Sequence, residues 1–145
     1  MTQRSEGYFR QELIDGVMTV VILDSEIIPE SKEELFAIAD RLSESGATKW
    51  VVLNLANVQT IRSAAIGILI HFQKRVRDAG GTLKICRVHP DILRIFELTR
   101  TDQVFDIEER QRDAIEVFHG RSRPRRDGQR SWFSRLIGKK SRGSG

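Results

Sequence analysis

Ser63 is the hydroxyl in this chain best placed to do chemistry. It lies within Asn57-Val-Gln-Thr-Ile-Arg-Ser63-Ala-Ala-Ile-Gly67-Ile-Leu-Ile-His-Phe72, where an apolar strand runs into an amphipathic helix. The first turn of a helix collects backbone N–H groups without intrahelical acceptors, together with the positive end of the peptide dipole. A hydroxyl there has two readings. It is a helix cap, accepting from an N–H two or three residues on and contributing about 1 kcal/mol, or it carries a phosphoester whose negative charge the helix end favours.

The usual catalytic frames are missing around it. The chain has no Gly-x-x-x-x-Gly-Lys-Ser/Thr loop, no Gly-x-Gly-x-x-Gly fingerprint, no His-Glu-x-x-His and no Gly-x-Ser-x-Gly elbow. His71, His89 and His119 fall on different predicted elements, which offers no metal set. Glu33-Glu34 and Glu108-Glu109 are adjacent residues on predicted helices and point apart, so neither is an acid/base pair. No catalytic residue, metal or cofactor is expected.

The elements that must position Ser63 follow from pattern. Tyr8 to Ile14 and Val17 to Leu23 are β-prone runs joined by Asp15-Gly16, a hairpin signal. Ser31, with Glu34 three residues on, has the form of a capping box for a helix that ends near Gly46. Trp50 to Leu55 is continuously apolar, as a strand covered on both faces should be. The helix headed by Ser63 ends at Gly80-Gly81, and Thr82 to Val88 is a further strand. Pro90 starts a short helix through Leu98, Val104 to Ile107 reads as an edge strand, and Glu108 to Phe118 as a last helix. The pattern predicts an α/β fold: a single domain over residues 8–119, with a mixed central sheet (opening hairpin plus parallel strands) and helices packed on it.

Charge divides the chain at about the same point. Beyond Gly120 there are nine Lys or Arg and one acid, about +8 against a whole-chain net of +4, so the first 120 residues carry about −4. Within this basic tail, residues 120–145, an amphipathic segment over 131–140 places Trp132, Phe133, Leu136 and Ile137 on one helical face, flanked by Arg135, Lys139 and Lys140. Such a segment suits an acidic membrane surface. A solubilising extension without fixed structure accounts for the same composition. Specific nucleic-acid binding is not expected, because the tail has few aromatics and no reader fold accompanies it. Cys86 is the single cysteine, so no internal disulfide forms; a small buried hydrophobe in a reduced compartment fits it. No apolar run is long enough to span a membrane, and the first residues lack a signal peptide's hydrophobic region. A cytoplasmic location is expected, at the inner face of the membrane if the tail anchors there.

Over residues 8–119 the order of elements resembles the STAS domain of bacterial anti-sigma factor antagonists. Ser25-Glu26-Ile27-Ile28 with Glu33-Glu34-Leu35 is similar to that family's Gly-Glu-Leu-Asp loop and following helix, and Val51-Val-Leu-Asn-Leu55 to its central strand. Arg62-Ser63-Ala64-Ala65-Ile66-Gly67 falls on its Asp-Ser-Ser-Gly-Leu-Gly, and Gly80-Gly81-Thr-Leu-Lys-Ile on its turn and strand. Phe96 to Phe105 resembles the segment that carries Thr-Gly-Leu. The resemblance implies that Ser63 is phosphorylated by a GHKL-type serine kinase that doubles as the anti-sigma factor. Ser25, Glu26, Ile28, Arg62, Ser63, Ala64, Gly67 and Arg100 would then frame the docking surface. Arg62 stands where the family has Asp, Ala64 where it has a second Ser, Ala65, Ser25 and Arg100 where it has Gly, and Ile28 where it has Asp. These departures gather at the docking surface, which implies an altered partner. A second function class fits the same fold: a STAS scaffold, or an accessory subunit of a membrane transporter, that holds its partner without phosphorylation.

Overall fold

Asp15 and Gly16 both take left-handed backbone angles, with φ of 53° and 77°, the two positive values that a type I′ hairpin turn requires. The turn joins β1 (Phe9–Ile14) to β2 (Val17–Ile22) in antiparallel register, Ile14 opposite Val17 and Phe9 opposite Ile22. The structure is a computed structural model that describes residues 7–46, 48–121, 132, 135 and 136. After the hairpin, β3 (Trp50–Asn54), β4 (Thr82–Cys86) and β5 (Ile107–Glu108) add in parallel, giving the sheet order β1-β2-β3-β4-β5. Parallel neighbours need a crossover. The crossovers contain α1 (Lys32–Ser45), α2 (Ser63–Asp78) and α3 (Pro90–Leu98), and α4 (Gln111–Phe118) follows β5.

Side-chain alternation gives the sheet two unequal faces. Val20, Val51, Leu53 and Ile85 pack with Leu35, Leu69, Phe72, Leu93 and Phe96 from the three crossover helices in the main core. Val17, Val52 and Cys86 face the other way, onto Ala114 and Ile115 of α4. With Val51, Val52 and Leu53 all at 0% exposure, β3 is the strand covered on both sides. Cys86 is buried, and that burial pushes its thiol up to about 12, so it packs as a hydrophobe and is not a nucleophile.

Four local expectations are corrected. Ser31 forms no capping box: it already has helical angles (φ −87°, ψ −3°) within a 3₁₀ turn over Pro29–Ser31, and its Oγ donates to the Ile28 carbonyl at 2.8 Å. Capping needs extended backbone, which the preceding turn removes. The edge strand at Val104 to Ile107 is replaced by a 3₁₀ turn over Thr101–Gln103, and only Ile107–Glu108 pair with β4. Its apolar residues do other work, for Phe105 packs 5.3 Å from Phe96 while Val104 is exposed. The last helix starts at Gln111 instead of Glu108, because β5 takes Glu108, and the Arg110 N–H donates to Asp113 at 3.2 Å across the helix start.

The fourth correction concerns the tail. Trp132 was placed on a membrane-facing stripe; it is 6% exposed and belongs to the main core of the domain. A large indole removed from water gains more there than at a surface. Arg135 and Leu136 are exposed, whereas Phe133, Ile137, Lys139 and Lys140 lie outside the described residues.

The end of α4 is tied to the hairpin. Arg121 donates to Asp15 Oδ2 at 2.5 Å and to Glu116 Oε1 at 2.7 Å, and His119 Nε2 sits 2.6 Å from the Asp15 carbonyl oxygen. The Arg121 hydrogen bond holds the Asp15 carboxyl below its ordinary value of 3.8. A depressed carboxylate stabilises the fold above its unfolded pKa and loses that share as pH falls through the folded one. Asp15→Asn, which tolerates the left-handed turn, should therefore lower the urea midpoint at neutral pH. The gap to wild type should close below about pH 4.

Candidate partner-binding corner

The C-terminal ends of the parallel strands meet at one corner. The chain leaving β3 is pinned by Leu55, Val58 and Ile61, all buried. Asn57 Nδ2 donates to the Ile22 carbonyl at 3.0 Å, and the N–H groups of Gln59 and Thr60 donate to the Ser25 carbonyl at 2.8 and 3.3 Å. Two loops remote in sequence, 23–28 and 55–62, are thus laced into one surface. Ser25 is exposed, Glu26 and Ile28 are half-buried, and Ile27 is the buried anchor of its loop.

Ser63 is the first residue of α2, one position inside the helix, and is exposed. The cap position belongs to Arg62, whose extended backbone (φ −112°, ψ 167°) lets its carbonyl accept from the Ala65 and Ile66 N–H groups at 2.9 and 3.1 Å. The helix-cap reading of Ser63 is therefore set aside. The Arg62 side chain makes no cap hydrogen bond, because a guanidinium has donors only. The exposed hydroxyl sits beside the first-turn N–H groups at the positive end of a sixteen-residue helix. Arg62 Nε donates to Glu26 Oε1 at 3.2 Å, with the two side chains 78% and 37% exposed. A pair so open to water contributes between about 0 and 1 kcal/mol, so either partner can be drawn away at small cost.

Ala64 is exposed and Gly67 half-buried on the same helix. A Cβ added at Gly67 would meet nothing within 4 Å. Gly67→Ala should raise stability by about 0.5–1 kcal/mol through helix propensity, read as a higher denaturant midpoint. Arg100, with φ 65°, precedes the turn over Thr101–Gln103 that follows α3. α3 runs back across the sheet from the end of β4, and the following segment meets α2 where Gln73 Nε2 donates to the Val104 carbonyl at 3.0 Å. Ten residues of helix, about 15 Å, separate Gln73 from Ser63.

Arg87 and His89 were not assigned from sequence. β3 and β4 end in register, Asn54 beside Cys86, so the chain leaves β4 next to the Ser63 loop. Arg87 is exposed with φ 59°, and His89 Nδ1 accepts from the Asp91 N–H at 3.1 Å, capping α3. The signal was available: open α/β sheets bind at the carboxyl ends of their strands, which gives the loop after β4 the same claim as the loop after β3.

Residues 8–114 match the STAS domain family. The anti-sigma F factor antagonist of Paenibacillus polymyxa is 22% identical over 100 residues, 69% of this chain and 85% of that protein. An anti-sigma factor antagonist from Mycobacterium paratuberculosis shares the fold with a TM-score of 0.61 at 21% identity, covering 75% of this chain and 91% of the other. The Bacillus cell fate determinant SpoIIAA, in its phosphorylated form, aligns with a TM-score of 0.55 at 14% identity, covering 76% and 98%. With this fold, this order of strands and this matched span, the chain belongs to the STAS domain family and is similar to its anti-sigma factor antagonists.

Proposed function

We propose that this protein acts by partner exchange: the corner around Ser63 docks a GHKL-type serine kinase that serves as an anti-sigma factor, and phosphorylation of Ser63 releases it. The observation that carries the reading is the placement of Ser63, an exposed hydroxyl on the first turn of a helix whose cap residue supplies no side-chain acceptor. The relatives named as anti-sigma factor antagonists, one of them known in a phosphorylated form, support it.

The chemistry is differential binding. A phosphate adds nearly two negative charges and bulk. The helix end tolerates them, since its N–H groups and dipole favour an anion. A partner surface fitted to a neutral hydroxyl does not. Arg62 gives this chain its own variant of the switch. Resting, it pairs with Glu26; modified, it has a doubly charged oxygen cluster on the adjacent residue, a stronger charge-assisted acceptor than one carboxylate. Release of Glu26 would then alter the neighbouring loop without refolding the domain.

The test is direct. The full chain is used to capture its kinase from the native organism, and the captured kinase is given ATP. The mass of the wild-type chain should rise by one phosphate and that of Ser63→Ala should not. An unshifted wild-type mass overturns the phosphoswitch, and failure to capture any kinase of this class overturns the docking.

A further inference from the structure

We propose that the free edge of β1 is a self-pairing surface that joins two copies of this chain into an antiparallel, two-fold dimer centred on Gln11.

The backbone parity of the hairpin shows which groups are available. Ile14 and Val17 flank the two-residue turn, and the Leu23 N–H donates to the Tyr8 carbonyl at 3.0 Å. The Glu12 carbonyl also faces β2, where it accepts from Thr19 Oγ1 at 2.8 Å. Even-numbered residues of β1 thus direct their backbone groups toward β2. In an antiparallel ladder the alternate residues direct theirs the opposite way, so the N–H and C=O groups of Phe9, Gln11 and Leu13 point off the sheet. Among the described residues no further strand pairs with them.

An exposed edge of this kind is normally blunted by Lys, Pro, a bulge or repelling charge. β1 has neither Lys nor Pro, and its register with β2 runs unbroken from Phe9 to Ile14. Its sequence is instead complementary to its own reverse. Reading Phe9-Arg10-Gln11-Glu12-Leu13 outward from Gln11 gives opposite charges at the first step and apolar residues at the second. A two-fold axis through Gln11 pairs the two Gln11 residues, and Phe9 with the partner's Leu13, each pair exchanging both backbone hydrogen bonds.

Arg10 and Glu12 then fall into the closer, non-hydrogen-bonded positions, each opposite the other's counterpart. Directly opposed unlike charges stabilise a strand pair and like charges destabilise it. The same pairing covers Leu13, which is 56% exposed in the single chain. Contacts that repeat by symmetry close the assembly at two copies. The loops 23–28 and 55–62 lie outside the paired strands, so each copy keeps its own Ser63 corner. A six-residue edge buries less than a standard interface, so the dimer is expected to be weak, within the span of about 1 μM to about 1 mM.

Sedimentation of the full chain from about 1 μM to about 1 mM tests this. The weight-average mass should climb from one chain toward two. Glu12→Arg, which sets Arg against Arg twice per dimer, should weaken association at least about tenfold. Arg10→Glu with Glu12→Arg should restore it. Gln11→Pro removes an outward N–H and leaves the ladder to β2 intact, so it should abolish the dimer while the circular dichroism spectrum is kept. A wild-type chain that stays single across the range overturns the proposal, as does a charge-exchanged double variant no tighter than Glu12→Arg.

Discussion

Ser63→Asp is expected to weaken binding of the captured kinase on the order of 100-fold, with Ser63→Ala close to wild type, both measured by titration of the full chain. The magnitude follows from placing a fixed negative charge where, in the proposed docking, a partner surface closes over a neutral hydroxyl. Like-charge or desolvated-charge contacts at an interface cost several kcal/mol, and 100-fold corresponds to about 2.7 kcal/mol. The domain itself should hardly notice. An acid in the first turn of a helix is favoured by about 0.3–1 kcal/mol, so Ser63→Asp should be as stable as wild type or slightly more so. That combination, a stable fold with a lost partner, separates a switch from a scaffold: a scaffold would bind both variants alike. Arg62→Ala sharpens the test, since it removes the intramolecular acceptor's counter-charge without touching the hydroxyl, and any loss it causes reports on the Arg62–Glu26 pair.

Much of the fold was legible because its local signals agree. Asp15-Gly16 sits at the one place where two left-handed residues are needed, and the apolar run of β3 is buried on both faces as its lack of alternation implies. Where the pattern misled, a different use of the same residue won. Val104, Phe105 and Ile107 looked like a strand, yet Phe105 serves the core against Phe96 and only Ile107 enters the sheet. Ser31 has the chemistry of a cap but not the backbone for one. Trp132 satisfied an amphipathic stripe by spacing, but spacing cannot say which apolar surface a tryptophan meets, and here it meets the domain's own core.

The site divides in the same manner. Ser63 was visible because a strand-to-helix junction is a local feature. The lacing of loop 23–28 to loop 55–62 rests on backbone groups, the Ser25 carbonyl with the Gln59 and Thr60 N–H groups, and backbone bonds leave no mark on residue type. The Arg62–Glu26 pair spans thirty-six residues. Opposite charges at that separation gain meaning only once the sheet has brought both loops to the same end. The hairpin edge is the converse case: the reversed complementarity of Phe9 to Leu13 is written in the sequence, but which backbone groups face outward depends on the parity set by the turn.

Lys84→Ala should be a strongly damaging loss of a buried charge from the sheet, lowering stability by about 3–5 kcal/mol. Lys84 looks like the polar member of an alternating strand, but α4 covers that face and leaves its side chain 8% exposed. Its ammonium lies 2.5 Å from Asp106 Oδ2, 3.6 Å from Glu108 Oε2 and 5.4 Å from the centre of the Phe118 ring. Two charges taken out of water are tolerated because each offsets the other's lost hydration. Removing the cation takes from Glu108, also 8% exposed, the attraction of an ammonium 3.6 Å away. If that lost attraction is the cause, Lys84→Met combined with Glu108→Gln should recover most of what Lys84→Met alone loses, by urea unfolding of all three chains. If instead the methylene stem carries the stability, Lys84→Met alone should sit near wild type and the second substitution should add nothing. Either way the lysine bridges β4 to the segment that enters β5, and β5 together with α4 closes the second face of the sheet. Its loss should loosen the far edge while leaving the Ser63 corner, whose helix packs on the opposite face of the sheet from α4, able to bind per folded molecule.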